Sequence, residues 1–309
     1  MEAQRRASGS GALTVCFLVV LLSGSRASGQ EPAGPFHLRV SDLDNTNWAA
    51  ALPEAAAPRD EVTSKAGGRF GTGASLPRLA AVDLREVLGA PLSWKGPEWR
   101  RFSLAMAGIG AAALLDGTVR DADRRVHSRF VDRVTNTFEP LGSTDAWVVL
   151  GLFYAGGVAA DDSRARATAV DGVLSTAIAS GIVTSALKTA VGRKRPHDTG
   201  KTFDFAPFSG NASFPSGHST HAFAVASVIA THYDSYWIKG LSYGSAAIVA
   251  YARIHHQAHF LSDVTTGAVI GTAVGRSVVH HNQRERSRYT LVPAVGPRGQ
   301  PGVALAFSF

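Results

Sequence analysis

From residue 99 onward the chain alternates apolar segments of helical length with polar connectors. This constrains the fold more than any other feature. An apolar stretch too long for a strand must be buried as a helix against its neighbours. Six such segments lie near 99–115, 144–160, 166–190, 218–233, 237–252 and 260–279. They are rich in Ala, Gly, Val and Leu, which lets helix axes approach closely. The expected fold is all-α, a six-helix bundle. A short helix is also expected at 79–88. The last stretch differs: 290–295 and 303–309 have strand character around Gly296-Pro297-Arg298-Gly299-Gln300-Pro301 and read as a small C-terminal β-hairpin.

Whether such a bundle sits in water or lipid depends on segment length. Mean hydropathy is +0.04, low for a protein with six spans. Uninterrupted apolar runs are mostly about 14 residues or fewer, against the ~20 that a span requires. Asp116 closes the first segment, Asp171 interrupts the third, and His218 and His221 open the fourth. The expectation is therefore a soluble or peripheral protein rather than an integral one.

The N-terminus reads as an export signal. Arg5 and Arg6 precede an 11-residue apolar run at 12–22, followed by small residues and a cleavage site near Ala27. The expected domain plan is a signal peptide at 1–29, an irregular arm at 30–95, a helical domain at 96–285 and a hairpin or tail at 286–309. Cys16, the single cysteine of the 309 residues, lies in the signal. A processed chain would have no disulfide, thiol nucleophile or thiolate metal site. Export then implies the periplasm or cell envelope. The formal charge of +7 suits acidic substrates or an anionic membrane surface. Basic runs interleaved with aromatics are missing, so nucleic acid is not an expected partner.

Three clusters carry chemistry. Lys188 and Arg195 are seven positions apart, on one face of a helix that Pro196 must end. Pro215-Ser216-Gly217-His218 is a tight turn opening an apolar segment. A helix start of this kind offers unpaired N–H groups to an anion, and Ser216 adds a hydroxyl. Arg253, His259 and Asp263 form the third cluster, with the carboxylate one helical turn after the imidazole, where it can fix the ring tautomer. Each cluster alone is matched by an ordinary structural explanation: a solvated helix end, a helix cap, a polar core pair. Their separations add more. The 34 residues between His218 and Arg253 are the length of a helical hairpin, which returns Arg253 to the end where His218 began. The 19 residues between Arg195 and Pro215 can remain there as a loop. Three cations, a turn of donors, two histidines and a carboxylate then share one pocket, suited to phosphoryl transfer.

The pattern Lys-x6-Arg-Pro, Pro-Ser-Gly-His and Arg-x5-His-x3-Asp resembles that of the type 2 phosphatidic acid phosphatase superfamily, which includes bacterial acid phosphatases and vanadium haloperoxidases. The resemblance covers about 188–275, with Gly267 and Gly271 included. It implies a six-helix bundle of the acid phosphatase/haloperoxidase type. It also implies His259 as a nucleophile forming phosphohistidine, Asp263 as its orienting partner and His218 as general acid. Lys188, Arg195, Ser216, Gly217 and Arg253 would bind phosphate. Two positions depart from the family pattern: Ala252 stands where Ser is usual, and Gln257 and Ala258 where Gly is common.

The implied function is metal-independent hydrolysis of phosphate monoesters or lipid (pyro)phosphates. No cofactor is expected, although vanadate could occupy the phosphate site as inhibitor or cofactor. The alternatives are a vanadium haloperoxidase-like enzyme and a non-catalytic envelope protein that binds anions or lipid headgroups. No metal site is expected, and His221, His255 and His256 read as supporting or surface groups. The partner is a phosphorylated small molecule or lipid phosphate, with membrane association open. Arg124, Arg125, Phe130, Phe203, Phe205 and Phe208 are candidate walls for the rest of the substrate.

Overall fold

The computed structural model describes residues 76–126, 128–287, 289–295 and 301–307. The signal segment with Cys16, and the arm up to residue 75, lie outside the described residues.

Among the described residues the fold is helical. Its helices are α1 (Leu76–Ser93), α2 (Gly96–Asp123), α3 (Arg129–Phe138), α4 (Thr144–Ala159), α5 (Ser163–Val191), α6 (Gly217–His232), α7 (Tyr236–His255) and α8 (Leu261–Ser287). A 3-10 turn, Glu139–Gly142, joins α3 to α4, and α5 widens into a π-helical stretch at Ala177–Thr184. Beside the six expected segments stand α1, which contains the short helix expected at 79–88, and α3, which was not expected, so the described residues hold more helices than six. Tyr289–Val295 (β1) and Pro301–Phe307 (β2) pair antiparallel, with Tyr289 opposite Phe307.

Local chemistry sets the helix ends. The Asp162 carboxylate accepts from Arg164 N and Ala165 N and starts α5. Gly192, at φ 58°, ends it in the left-handed conformation that glycine adopts without steric cost. Ser216 caps α6, its hydroxyl accepting from Ser219 N.

Helix α6 is the centre of the bundle. One side chain cluster joins Val225 and Ile229 of α6 to Ala146, Val149, Leu150 and Phe153 of α4, to Ala165 and Ala169 of α5 and to Ile238 of α7. A second joins Ala224 to Leu174 and Ile178 of α5 and to Val274 and Val278 of α8, with α1 packed on its edge. At the far end of α6 from Ser216, the fully buried Asp171 accepts from Asn282 at 2.9 Å and Arg286 at 2.7 Å, and His232 Nε2 lies 2.8 Å from it. That network explains how one charge is tolerated inside the apolar α5.

The expectation of a soluble or peripheral protein is corrected here. By length and composition, α2 (28 residues) and α5 (29 residues) can each cross a membrane, and α3–α4 can serve as a third, bent span. Helix α2 turns Leu104, Met106, Leu114 and Leu115 outward, with Leu114 81% exposed, which points to a membrane-embedded protein. Demanding uninterrupted apolar runs hid these helices. Gly, Ser and Thr do not end a span, and the charges lie at an end (Asp116) or are paired inside (Asp171).

Candidate active site

The three clusters converge at the end of the bundle where α6 and α8 begin. Ser216 N donates to Asp263 O at 3.0 Å, which joins the Pro-Ser-Gly-His turn to the start of α8. Lys188, in the last turn of α5, donates from Nζ to Ala212 O at 2.5 Å, and a Cβ on Gly217 would lie 3.8 Å from its Cε. Arg195 follows the α5 cap and lines a polar cavity of about 260 Å³ with Lys194, His197, Asp198, Gly210, Asn211 and Ala212. Lys188, bonded to Ala212 in the cavity wall and close to Gly217, therefore stands between this cavity and the Ser-Gly-His turn.

Glycines set the approach of α6 and α8. A Cβ on Gly267 would come within 2.6 Å of Ser216 O, and one on Gly271 within 2.3 Å of Thr220 O. Only hydrogen fits at both positions. This contact holds the Ser216 turn against Asp263.

His259 is 3% exposed and Asp263 fully buried. His259 Nδ1 lies 3.7 Å from Asp263 Oδ2, beyond hydrogen-bond distance, and has no other partner among the described residues. Contacts of this kind commonly tighten when substrate binds. The Asp263 carboxylate is held on other sides by Arg193 Nη1 at 2.7 Å, Ser213 Oγ at 2.6 Å and Phe260 N at 2.9 Å. Burial pushes its pKa up, but His259, Arg193 and Ser213 outweigh that and hold it below the usual 3.8. Burial pushes His259 down from 6.5 to about 4, against the pull of Asp263. His218 is also lowered, first by burial and then by the neighbouring cations Lys188 and Arg195. Both rings are therefore neutral near pH 7 before substrate binds.

Arg253 is fixed from two directions. Its backbone carbonyl accepts from Ala258 N and His259 N, both at 3.1 Å, which folds the 256–260 turn back onto α7. Its guanidinium pairs with Glu139, whose other oxygen lies 2.9 Å from His256 Nδ1. Gln257 takes the left-handed conformation at φ 52°, where glycine would be favoured. Side-chain bonds hold it there: Nε2 donates to Asp123 Oδ2 and Ile254 O, and Oε1 accepts from Arg124 Nε. Ala252 is completely buried.

Sequence reading missed four groups: Arg193, Asp116, Ser213 and Glu139. Arg193, 2% exposed, donates to Asp116 and Asp263, which lie 77 and 70 positions away. A charge at the end of an apolar helix was the available signal for Asp116. Of the expected walls, Phe130, Phe203, Phe205 and Phe208 are exposed. His221 packs edge-on against Trp147, and His255 bonds to Asp123 and Asp132.

Residues 170–287 match the profile of the PAP2 superfamily. The chain is similar to a lipid A 1-phosphatase of Rhizobium etli, 38% identical over 105 residues, or 32% of this chain and 44% of that protein. A lipid A 1-phosphatase of Porphyromonas gingivalis is 34% identical over 108 residues, or 34% and 22% of the two chains. The chain thus spans less than half the length of these relatives. Among solved structures, Aquifex aeolicus LpxE superposes with a TM-score of 0.43 at 24% identity, covering 54% of this chain and 95% of that one. A transmembrane PAP2-type phosphatidylglycerolphosphate phosphatase of Bacillus subtilis gives 0.45 at 18% identity, covering 60% and 94%. The matched segment contains all three clusters, and the resemblance read from the sequence falls on the same residues as the PAP2 superfamily match.

Proposed function

We propose that this protein is a membrane-embedded phosphatase that removes a phosphate monoester from a lipid headgroup through a phosphohistidine at His259. One observation carries the reading: the Ser216–Asp263 backbone bond, which brings the anion-binding turn and the His–Asp pair to one point. Lys188, Arg195 and Arg253 neutralise the non-bridging oxygens, with Ser216 and the Gly217 N–H as further donors. On substrate binding the His259–Asp263 contact closes, so that Asp263 takes up the Nδ1 proton of His259 in a hydrogen bond and Nε2 is left to attack phosphorus. The P–Nε2 bond forms as the ester P–O bond breaks, and His218 gives its proton to the leaving oxygen. His218 then takes a proton from water, which attacks phosphorus, breaks the P–Nε2 bond and releases inorganic phosphate.

The relatives are lipid A 1-phosphatases, and the cavity of about 260 Å³ beside Arg195 is lined by polar and basic groups that suit a polar headgroup. A glycolipid 1-phosphate is therefore the proposed substrate class. The test is phosphate release in chelator-treated detergent buffer from lipid A, phosphatidate and a soluble aryl phosphate, by wild-type protein and His259→Ala. The expected result is turnover of lipid A in preference to the other two, reduced in the variant by about three orders of magnitude or more. Equal turnover by the variant, or preference for the soluble ester, contradicts the proposal.

A further inference from the structure

Helix α2 is attached to the rest of the protein in an unusual way. Of its 28 residues, only Ala112, Asp116 and Asp123 are buried, while its large apolar side chains face outward. Leu114 and Leu115 face outward, while two of the three buried side chains are carboxylates seven positions apart, on one face.

Both carboxylates grip the segment that carries His259, one on each side. Asp116 Oδ1 accepts from Ser262 N at 2.8 Å, and its Oδ2 accepts from Ser262 Oγ and from Arg193 Nη2, each at 2.7 Å. Arg193 Nη1 reaches on to Ser262 Oγ at 2.8 Å and Asp263 Oδ1 at 2.7 Å, and its guanidinium lies 4.1 Å over the Phe260 ring. Asp123 Oδ1 accepts from Tyr251 OH at 3.1 Å and lies 3.2 Å from His255 Nδ1, and Oδ2 accepts from Gln257 Nε2 at 3.3 Å. His259 thus sits between a post at Gln257 and a post at Ser262, and both posts end on one helix. The strained conformation of Gln257 is held in part from α2.

We propose that Asp116 and Asp123 are positioning residues: a two-point clamp by which the lipid-facing α2 holds the His259 loop in register with Asp263, Arg193 being the link to Asp263. Buried paired charges suit this role. Their geometry is narrow, and losing one partner leaves the other uncompensated. A shift of about 1 Å at a reacting group costs roughly a hundredfold in rate.

The clamp rests on His259 being the reacting group, so its test has one arm with substrate and one without. Full-length Asp116→Asn and Asp123→Asn proteins are compared with wild type in detergent by amide hydrogen exchange and by phosphate release. The expected result is faster exchange confined to about 256–264, with α6 unchanged, and kcat lowered about 10- to 100-fold at little-changed KM. Unchanged loop exchange overturns the proposal. So does exchange raised throughout the bundle, which marks both carboxylates as general stabilisers. Should Asp116→Asn fail to fold, Ser262→Ala removes the hydroxyl between Asp116 and Arg193 with both charges kept, and the same local pattern is required of it. Exchange is read without turnover. A wild type that hydrolyses nothing therefore counts against the proposed function, while the loop's response still decides the clamp.

Discussion

The proposed mechanism requires opposite protonation states of His259 and His218, and their surroundings bear on each. A nucleophilic imidazole must be neutral. Burial holds His259 at about 4, so it is available above that pH. A general acid must be protonated. Burial, with Lys188 and Arg195 nearby, lowers His218 in the free protein, and an arriving phosphate dianion reverses the cationic part of that shift. The account therefore predicts a bell-shaped kcat/KM profile. It should rise with pH through about 4 as His259 deprotonates, and fall again before the ordinary histidine value of 6.5 as His218 loses its proton. The alkaline limb of kcat should lie higher than that of kcat/KM. A profile flat from pH 4 to 8 would contradict the assignment. At this scale the sequence was informative about groups that meet within a turn or across one hairpin: the His259–Asp263 spacing and the Pro-Ser-Gly-His turn. It was silent on Arg193, Glu139 and Ser213, because their partners come from distant elements and no local pattern marks them.

The contact between α6 and α8 decides whether the site exists. Gly271 faces Thr220 O so closely that even a methyl group would lie 2.3 Å from it, and that obstacle is backbone, not a side chain that can swing away. Gly271→Ala is predicted to lower stability by about 1–3 kcal/mol. It should also reduce phosphate release, because the forced separation of the helices displaces Ser216 from Asp263. Denaturant unfolding and activity measured on the same preparation check this. Wild-type stability and turnover would show that the contact tolerates a wider approach. Helix positions were legible from apolar segment lengths, and the hairpin from α6 to α7 from the 34-residue separation. Helix α3 was not, because its short polar sequence, Arg129–Phe138, carries no long apolar run. The π-helical stretch of α5 was not either, since a change of helical pitch leaves residue composition unaltered.

For the whole molecule, the main revision concerns its surroundings. Asp116 and Asp171 argued against a membrane when counted as interruptions. In place, one lies at the site end of α2 and the other is enclosed with Asn282 and Arg286. The same charges thus support apolar helices turned outward and a polar site at one end of them, an arrangement suited to a substrate with one end in lipid. The central claim is that this end holds a phosphate while His259 attacks it. It is tested most directly by mixing the protein with a labelled lipid phosphate, quenching in alkali, under which phosphohistidine survives, and mapping the phosphorylated peptide by mass spectrometry. The account predicts label on His259 in wild type, accumulating in His218→Ala if release becomes slower than attack, and none in His259→Ala. Active protein with label on another residue, or with none at any quench time in either active form, would contradict it.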